Sequence, residues 1–173
     1  FCATMPRIRN DMAMQMGAHA TFLYDDDNLT HKIDEYTNGS GVDLVILTAN
    51  PWPAYRTSVE IVRDNGRVSI VSLLGRGEDD LDFNPLAMQY FYHKSLSLIA
   101  VNGTSGYLYP SSDSDRFEWN KQCEFVLQLM DDGNLNPSQL ITHRLHYTQM
   151  KEAYEMAYER EKTMLGVVFT WKD

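Results

Sequence analysis

Val42-Asp43-Leu44-Val45-Ile46-Leu47 (VDLVIL) is a nearly continuous apolar run rich in β-branched residues. Such a run suits a strand covered on both faces, as in a parallel sheet. Asn38-Gly39-Ser40-Gly41 precedes it and stops a helix predicted over 29–37. Pro51 and Pro53 punctuate the loop that follows, after which Tyr55, Val59 and Val62 mark the apolar face of a second helix. Asp64-Asn65-Gly66 reads as a turn into a second buried strand over 67–74 (RVSIVSLL). A glycine- and acid-rich loop over 75–82 and a short helix over 85–93 lead to a third strand, Leu96 to Val101 (LSLIAV).

The same alternation continues in both directions. A helix is predicted over 5–16, with Ile8, Met12 and Met16 on one stripe, Thr4 as N-cap, Pro6 in the first turn and Gly17 as stop. A short strand follows at 21–24. Beyond the centre come a polar surface loop over 102–115, a helix over 116–130, a short strand over 141–145, a helix over 148–159 and a last strand over 166–171. Strands joined through helices must run parallel. These units are too few to close an eight-fold barrel, so the expected fold is α/β with an open, doubly wound parallel sheet.

Composition narrows the function classes. The formal net charge of -9 disfavours nucleic-acid binding by bulk electrostatics. Cys2 and Cys123 form no CxxC pair and no metal-ligand spacing, so reduced thiols are expected rather than a disulfide framework or a zinc site. No apolar run approaches the ~18 residues needed to span a membrane, and no signal peptide is read at the start, so a cytoplasmic location is expected. The chain opens on Phe1 without an initiator Met, at what reads as the end of a strand, so a fragment of something longer is expected.

Several short stretches, taken in order, resemble the medium-chain dehydrogenase/reductase superfamily. Met16-Gly17-Ala18 before a strand is similar to the turn preceding that family's third strand. Thr37 to Val45 (TNGSGVDLV) resembles its T-x-G-x-G-x-D-x-V lead into the fourth, and Val62 to Leu74 its lead into the fifth. Leu135-Asn136-Pro137 with Ile141-Thr142-His143-Arg144, and Lys151 to Glu155, resemble the zinc-type alcohol, sorbitol and threonine dehydrogenase branch. Each match is weak alone; their order and spacing carry the signal. The resemblance implies a Rossmann-like NAD(P)-binding domain over 1–140, N-terminally truncated, and a tail over 141–173 that returns to a catalytic domain. It implies that zinc, its ligands and the proton relay belong to a part upstream of these residues. No G-x-G-x-x-G phosphate loop occurs in the sequence.

The resemblance also assigns cofactor positions, since ligands of such sheets lie at the carboxyl ends of strands. Thr48, Ala49 and Asn50 would line the adenosine and ribose. Val71, Ser72 and Leu73 would meet the nicotinamide carboxamide through backbone groups, with Ser72 standing near where relatives carry Gly. Ile99, Ala100 and Val101 would lie near the nicotinamide and the dimer seam. Plain core packing is the alternative for all three sets. Thr4 falls where NAD-preferring relatives place Asp or Glu, and Arg7 and Arg9 follow within one helical turn. A neutral residue beside guanidinium groups favours the 2′-phosphate of NADP over NAD; the alternative is that both arginines are solvated surface charges. Leu165 stands where relatives often carry Lys or Arg.

Other constellations compete. Tyr90 and Lys94 form the Y-x-x-x-K pair of short-chain dehydrogenases. His31, His93, His143 and His146 show no converging metal spacing. Asp25-Asp26-Asp27 and Asp113-Ser114-Asp115 read as solvated loop charge. Phe83, Tyr90, Phe91, Tyr92, Tyr107 and Tyr109 could form an oligomer face or covered core. The leading expectation is an alcohol-dehydrogenase-type oxidoreductase that moves a hydride between a nicotinamide and a small alcohol, aldehyde or ketone. It would be homo-oligomeric through the Leu96–Val101 strand, bind neither nucleic acid nor membrane, carry no catalytic or metal-ligating residue in these positions, and be inactive as this polypeptide alone. The rival is a non-catalytic binding or interaction domain on the same scaffold.

Overall fold

A computed structural model describes the chain except for residues 1, 5, 6, 78, 80, 82, 102–118 and 173. Expectations for the loop over 102–115, for Asp113 and Asp115, and for Tyr107 and Tyr109 fall outside the described residues. The chain divides into two compact units, one formed by Asp27–Gly103 and one by Phe1–Asp26 with Thr104–Asp173.

In the first of these, α2 (Leu29–Tyr36), β3 (Val42–Leu47), α3 (Trp52–Ile61), β4 (Val62–Ile70) and β5 (Ser97–Ala100) follow one another, with a π-helical turn at Met88–Tyr92 before β5. The sheet order is β3-β4-β5 and every pairing is parallel. Leu47 stands opposite Ile70, and Ile70 opposite Ala100, so the three strands finish at one level.

Parallel partners share a face, so Val45, Leu47, Val68, Ile70, Leu98 and Ala100 line one side of the sheet. There Leu47 and Val68 are buried, as are Leu29 and Ile33 of α2 and Ala54, Tyr55 and Val59 of α3. Removing such side chains from water supplies ~1.5–3 kcal/mol each. The opposite face is different. Leu44 and Ile46 are 41% and 62% exposed, so the expectation that VDLVIL is covered on both faces holds for one face only.

The Thr37–Asp43 stretch has a mechanical explanation. The Thr37 hydroxyl donates to the Ile33 carbonyl at 2.9 Å and accepts from the Gly41 N–H at 3.1 Å, closing the end of α2. Gly41 sits at φ +71°, and a Cβ there would lie 3.1 Å from the Arg63 backbone, so only glycine fits both demands. Arg63 Nε donates to Asp43 Oδ1 at 2.6 Å across the two strands. That hydrogen bond holds the exposed Asp43 carboxyl below its usual range.

Two elements depart furthest from the sequence reading. Val62 is not on a helix face; it opens β4, which runs through Asp64-Asn65-Gly66 to Ile70 instead of starting at Arg67 and ending at Leu74. Val62 pairs with Val42 and Arg67 with Leu44, so Arg63 to Gly66 stand opposite Asp43 alone as a bulge. Asn65, at φ +59°, makes the turn inside the strand. The helix predicted over 85–93 is reduced to the π-helical turn, closed by His93 N–H to Met88 O at 2.9 Å.

Lys94 fastens this corner. Its ammonium donates to the carbonyls of Val59, Glu60 and Val62 at 2.9, 2.7 and 2.8 Å, while its own carbonyl accepts from Asn65 N–H. A helix C-terminus leaves such carbonyls without intrahelical partners and favours a cation. Burial pulls the Lys94 pKa below its usual value, and Asp64 and Glu60 pull it back.

In the other unit, β1 (Cys2–Thr4) pairs in parallel with β2 (Thr21–Leu23), and α1 (Arg7–Gln15) connects them. The buried Asn10 donates from Nδ2 to Phe22 O at 3.1 Å, fixing α1 to β2. Further along come α4 (Trp119–Asp131), β6 (Ile141–His146), α5 (Met150–Tyr158) and β7 (Gly166–Thr170), with β6 and β7 parallel. On α5 Tyr154 is 70% exposed, and Ala153 is the buried residue of that helix.

Lys94→Met removes the donor to three carbonyls and is expected to cost about 1–3 kcal/mol of stability. Urea unfolding measures it; an unchanged midpoint would contradict the role assigned to this ammonium.

Candidate functional site

The strand ends of the Asp27–Gly103 unit meet at one rim. Val71 N–H donates to Leu47 O at 3.0 Å, and Val101 N–H donates to Ile70 O at 2.9 Å. The ladder thus delivers Thr48, Ala49 and Asn50, then Val71, Ser72 and Leu73, then Ala100 and Val101 to adjacent positions. Thr48, Ala49, Asn50 and Ala100 are exposed, as are Val71 (49%), Leu73 (62%) and Val101 (45%). These expected positions come together. Thr4, Arg7 and Arg9 belong to the other unit: Thr4 is the last residue of β1, opposite Leu23, Arg7 opens α1, and Arg9 is exposed.

Ser72, following the central strand, carries a side-chain hydroxyl that is shielded from solvent and has no hydrogen-bond partner among the described residues. Leaving such a group unmatched costs about 1–3 kcal/mol, and an orphan of this kind calls for an explanation. A polar ligand group at the rim would satisfy it. The rim therefore fits a ligand with a hydrogen-bonding amide or hydroxyl beside an apolar surface formed by Val71 and Val101.

The loops that carry these residues are tied together by contacts invisible in the sequence motifs. Gly75 N–H donates to Asn50 O at 2.9 Å, bridging the loop after β4 to the loop after β3. The Trp52 indole lies against Gly75: a Cβ there would come within 2.6 Å of Trp52 Cζ2. Trp52 meets Tyr55 edge-on at 6.3 Å, and Tyr55 stacks on Phe83 at 6.3 Å. Tyr55 Oη donates to Pro85 O at 2.8 Å, and Arg56 lies 5.9 Å over the Phe83 ring. Burial pushes the Tyr55 phenol above its ordinary pKa. The two prolines that bracket Trp52 mark the loop in the sequence, but nothing local shows that its ring meets Gly75.

The Tyr90/Lys94 pair is corrected by the structure. The Lys94 ammonium is committed to three carbonyls where α3 ends and β4 begins, at the opposite end of β4 from Ser72. It cannot serve a tyrosine general acid at the rim. The aromatic set is divided: Phe83 packs on Tyr55, while Tyr92 is 67% exposed. Among the described residues, no group of three or more His, Cys, Asp or Glu could hold a metal ion, and no helix is long and apolar enough to cross a membrane.

Comparison with known proteins gives the rim a context. A family model for zinc-binding dehydrogenases matches residues 4–114. L-threonine 3-dehydrogenase of Pyrococcus horikoshii is 25% identical over 149 residues, covering 86% of this chain and 38% of that protein. D-arabitol-phosphate dehydrogenase of Enterococcus avium is 22% identical over 148 residues, covering 86% of this chain and 37% of that protein. The chain therefore spans well under half the length of these relatives. Among solved structures, 2R,3R-butanediol dehydrogenase of Bacillus subtilis superposes with a TM-score of 0.73 at 19% identity, over 99% of this chain and 43% of that one. A protein described as a short chain alcohol dehydrogenase of Escherichia coli CFT073, in complex with NADH, gives 0.70 at 17% identity, over 98% and 44%. These likenesses share the α/β fold.

The phenol of Tyr55 sets an alkaline limit. Its folded pKa is raised, so its contribution to stability is fully present below the unfolded value of 10.0 and is lost as pH climbs through the higher folded value. Thermal melts across that range are expected to show a smaller alkaline loss for Tyr55→Phe than for the wild type. Identical pH profiles would contradict the assignment.

Proposed function

The chain belongs to the zinc-binding dehydrogenase family, and on that premise we propose that it is the nicotinamide-dinucleotide-binding part of an NAD(P)-dependent oxidoreductase of small alcohols, aldehydes or ketones. One observation carries the reading: three parallel strands end in register at an exposed rim whose central loop holds the unpartnered Ser72 hydroxyl. Ligands of open α/β sheets bind at such carboxyl ends.

Ser72 and the backbone of Val71 to Leu73 would hold the carboxamide, Asn50 with Thr48 and Ala49 the ribose side, and Ala100 and Val101 the apolar edge of the ring. When bound, the nicotinamide supplies or accepts the hydride; the residues of this chain orient it and exclude water. Thr4 with Arg7 and Arg9 favours NADP, because guanidinium groups bind phosphate by charge-assisted hydrogen bonds. The described residues do not fit a zinc site, and no step is assigned to zinc on them. The same reading takes the Leu96–Val101 segment, at the edge of its sheet among the described residues, as the seam between two copies in the cytoplasm.

Titration with NADPH and with NADH, followed by nicotinamide fluorescence, is expected to give dissociation constants below about 1 mM. Replacing Arg7 and Arg9 by Ala is expected to weaken NADPH about tenfold and leave NADH nearly unchanged. Ser72→Ala separates fold from function. Removing a buried orphan is expected to raise stability by up to about 1 kcal/mol while weakening NADH several-fold. A Ser72→Ala protein that is less stable and binds NADH as tightly as wild type would overturn the assignment.

A further inference from the structure

We propose that Trp52 is a positioning residue for the cofactor rim, holding the Ser72 loop through Gly75; this rests on the dinucleotide reading above. Ser72 and Leu73 stand on the loop that leaves β4, and among the described residues no strand pairing holds that loop beyond Val71 N–H. Arg76 N–H closes a turn on Leu73 O at 3.1 Å, and the next backbone tie to another loop among the described residues is Gly75 N–H to Asn50 O at 2.9 Å. Asn50 is itself a rim residue and Gly75 follows Leu73 by two positions, so the bond ties the two loops together beside the rim.

Gly75 can reach Asn50 because it lies at φ +71° and because it has no side chain. The indole of Trp52 occupies the space a side chain would need: its Cζ2, Cε2 and Nε1 would be 2.6, 2.7 and 2.7 Å from a Cβ. A flat ring therefore lies over the glycine, close to the hydrogen bond to Asn50. The ring is held from behind by Tyr55, which is itself 2% exposed, stacked on Phe83 and bonded to Pro85 O. That chain of contacts runs from the α3 core to the loop, so the loop takes its place from the rigid side of the unit. The ring contacts of Trp52 run to Gly75 and Tyr55, and the carbonyls held by Lys94 lie where α3 ends, so loss of the indole should loosen the rim while leaving the sheet intact.

The test compares wild type, Trp52→Ala and Trp52→Phe by amide hydrogen exchange and by NADH titration. In Trp52→Ala the Gly75 amide is expected to exchange at least about tenfold faster, with Val68 unchanged, and NADH to bind about tenfold more weakly. Trp52→Phe, which keeps a flat ring, is expected to restore most of both. Gly75→Ala should reproduce the Trp52→Ala phenotype by pushing the ring aside. Unchanged Gly75 exchange in Trp52→Ala overturns the inference whatever NADH does. Faster Gly75 exchange with unaltered NADH affinity overturns the positioning role and leaves the cofactor reading standing. A wild-type chain that takes neither NADH nor NADPH overturns the cofactor reading and this inference with it, and is recognised before any substitution is made; if it takes NADPH alone, the same titrations are run with NADPH.

Discussion

The register of the β3–β4–β5 ladder is the constraint from which the rest follows. Parallel pairing gives each strand the same direction, and the pairing of Leu47 with Ile70 and Ile70 with Ala100 makes their ends coincide. A one-residue slip would turn Val68, which is fully buried, out of the core. The burial that stabilises the sheet therefore also fixes where the loops emerge. Lys94 secures the amino end of β4; Trp52 and Gly75 shape the carboxyl end. The two ends serve different purposes. At one end an ammonium satisfies three carbonyls, and at the other a hydroxyl has no partner among the described residues.

That contrast gives the site its physical meaning. A fold selected for stability alone would match or remove the Ser72 hydroxyl, since an unmatched buried polar group is costly. With Val71 and Val101 exposed beside it, the rim pairs an unmatched hydroxyl with an apolar surface. The strap formed by Trp52, Tyr55 and Phe83 holds the loop ready, which lowers the ordering cost of binding. On the function proposed above, the partner of this surface is a nicotinamide dinucleotide.

Much of this was legible in the residues. VDLVIL is the observed strand to the residue, because helix stop signals and Pro51 bracket it on both sides. The rim positions were also legible, since strand ends follow once the parallel order is accepted. Val62 was misread because its spacing from Tyr55 and Val59 suits a helix, while Asp64-Asn65-Gly66 looks like a break; in the fold a bulge absorbs that turn without ending β4. The exposure of Ile46 was hidden because a continuous apolar run does not say which faces are covered. Lys94 and Trp52 were invisible for a shared reason. Their partners lie far along the chain, and tertiary contacts leave no periodic mark on sequence.

Amide exchange mapped across the rim, with and without NADH, tests the central claim most directly. If the in-register ends form one cofactor surface, NADH slows exchange together in 48–50, 71–73 and 100–101, while the amides of β3 and β4 near their starts stay as they were. Protection confined to one of the three loops, or appearing only away from them, would contradict the account.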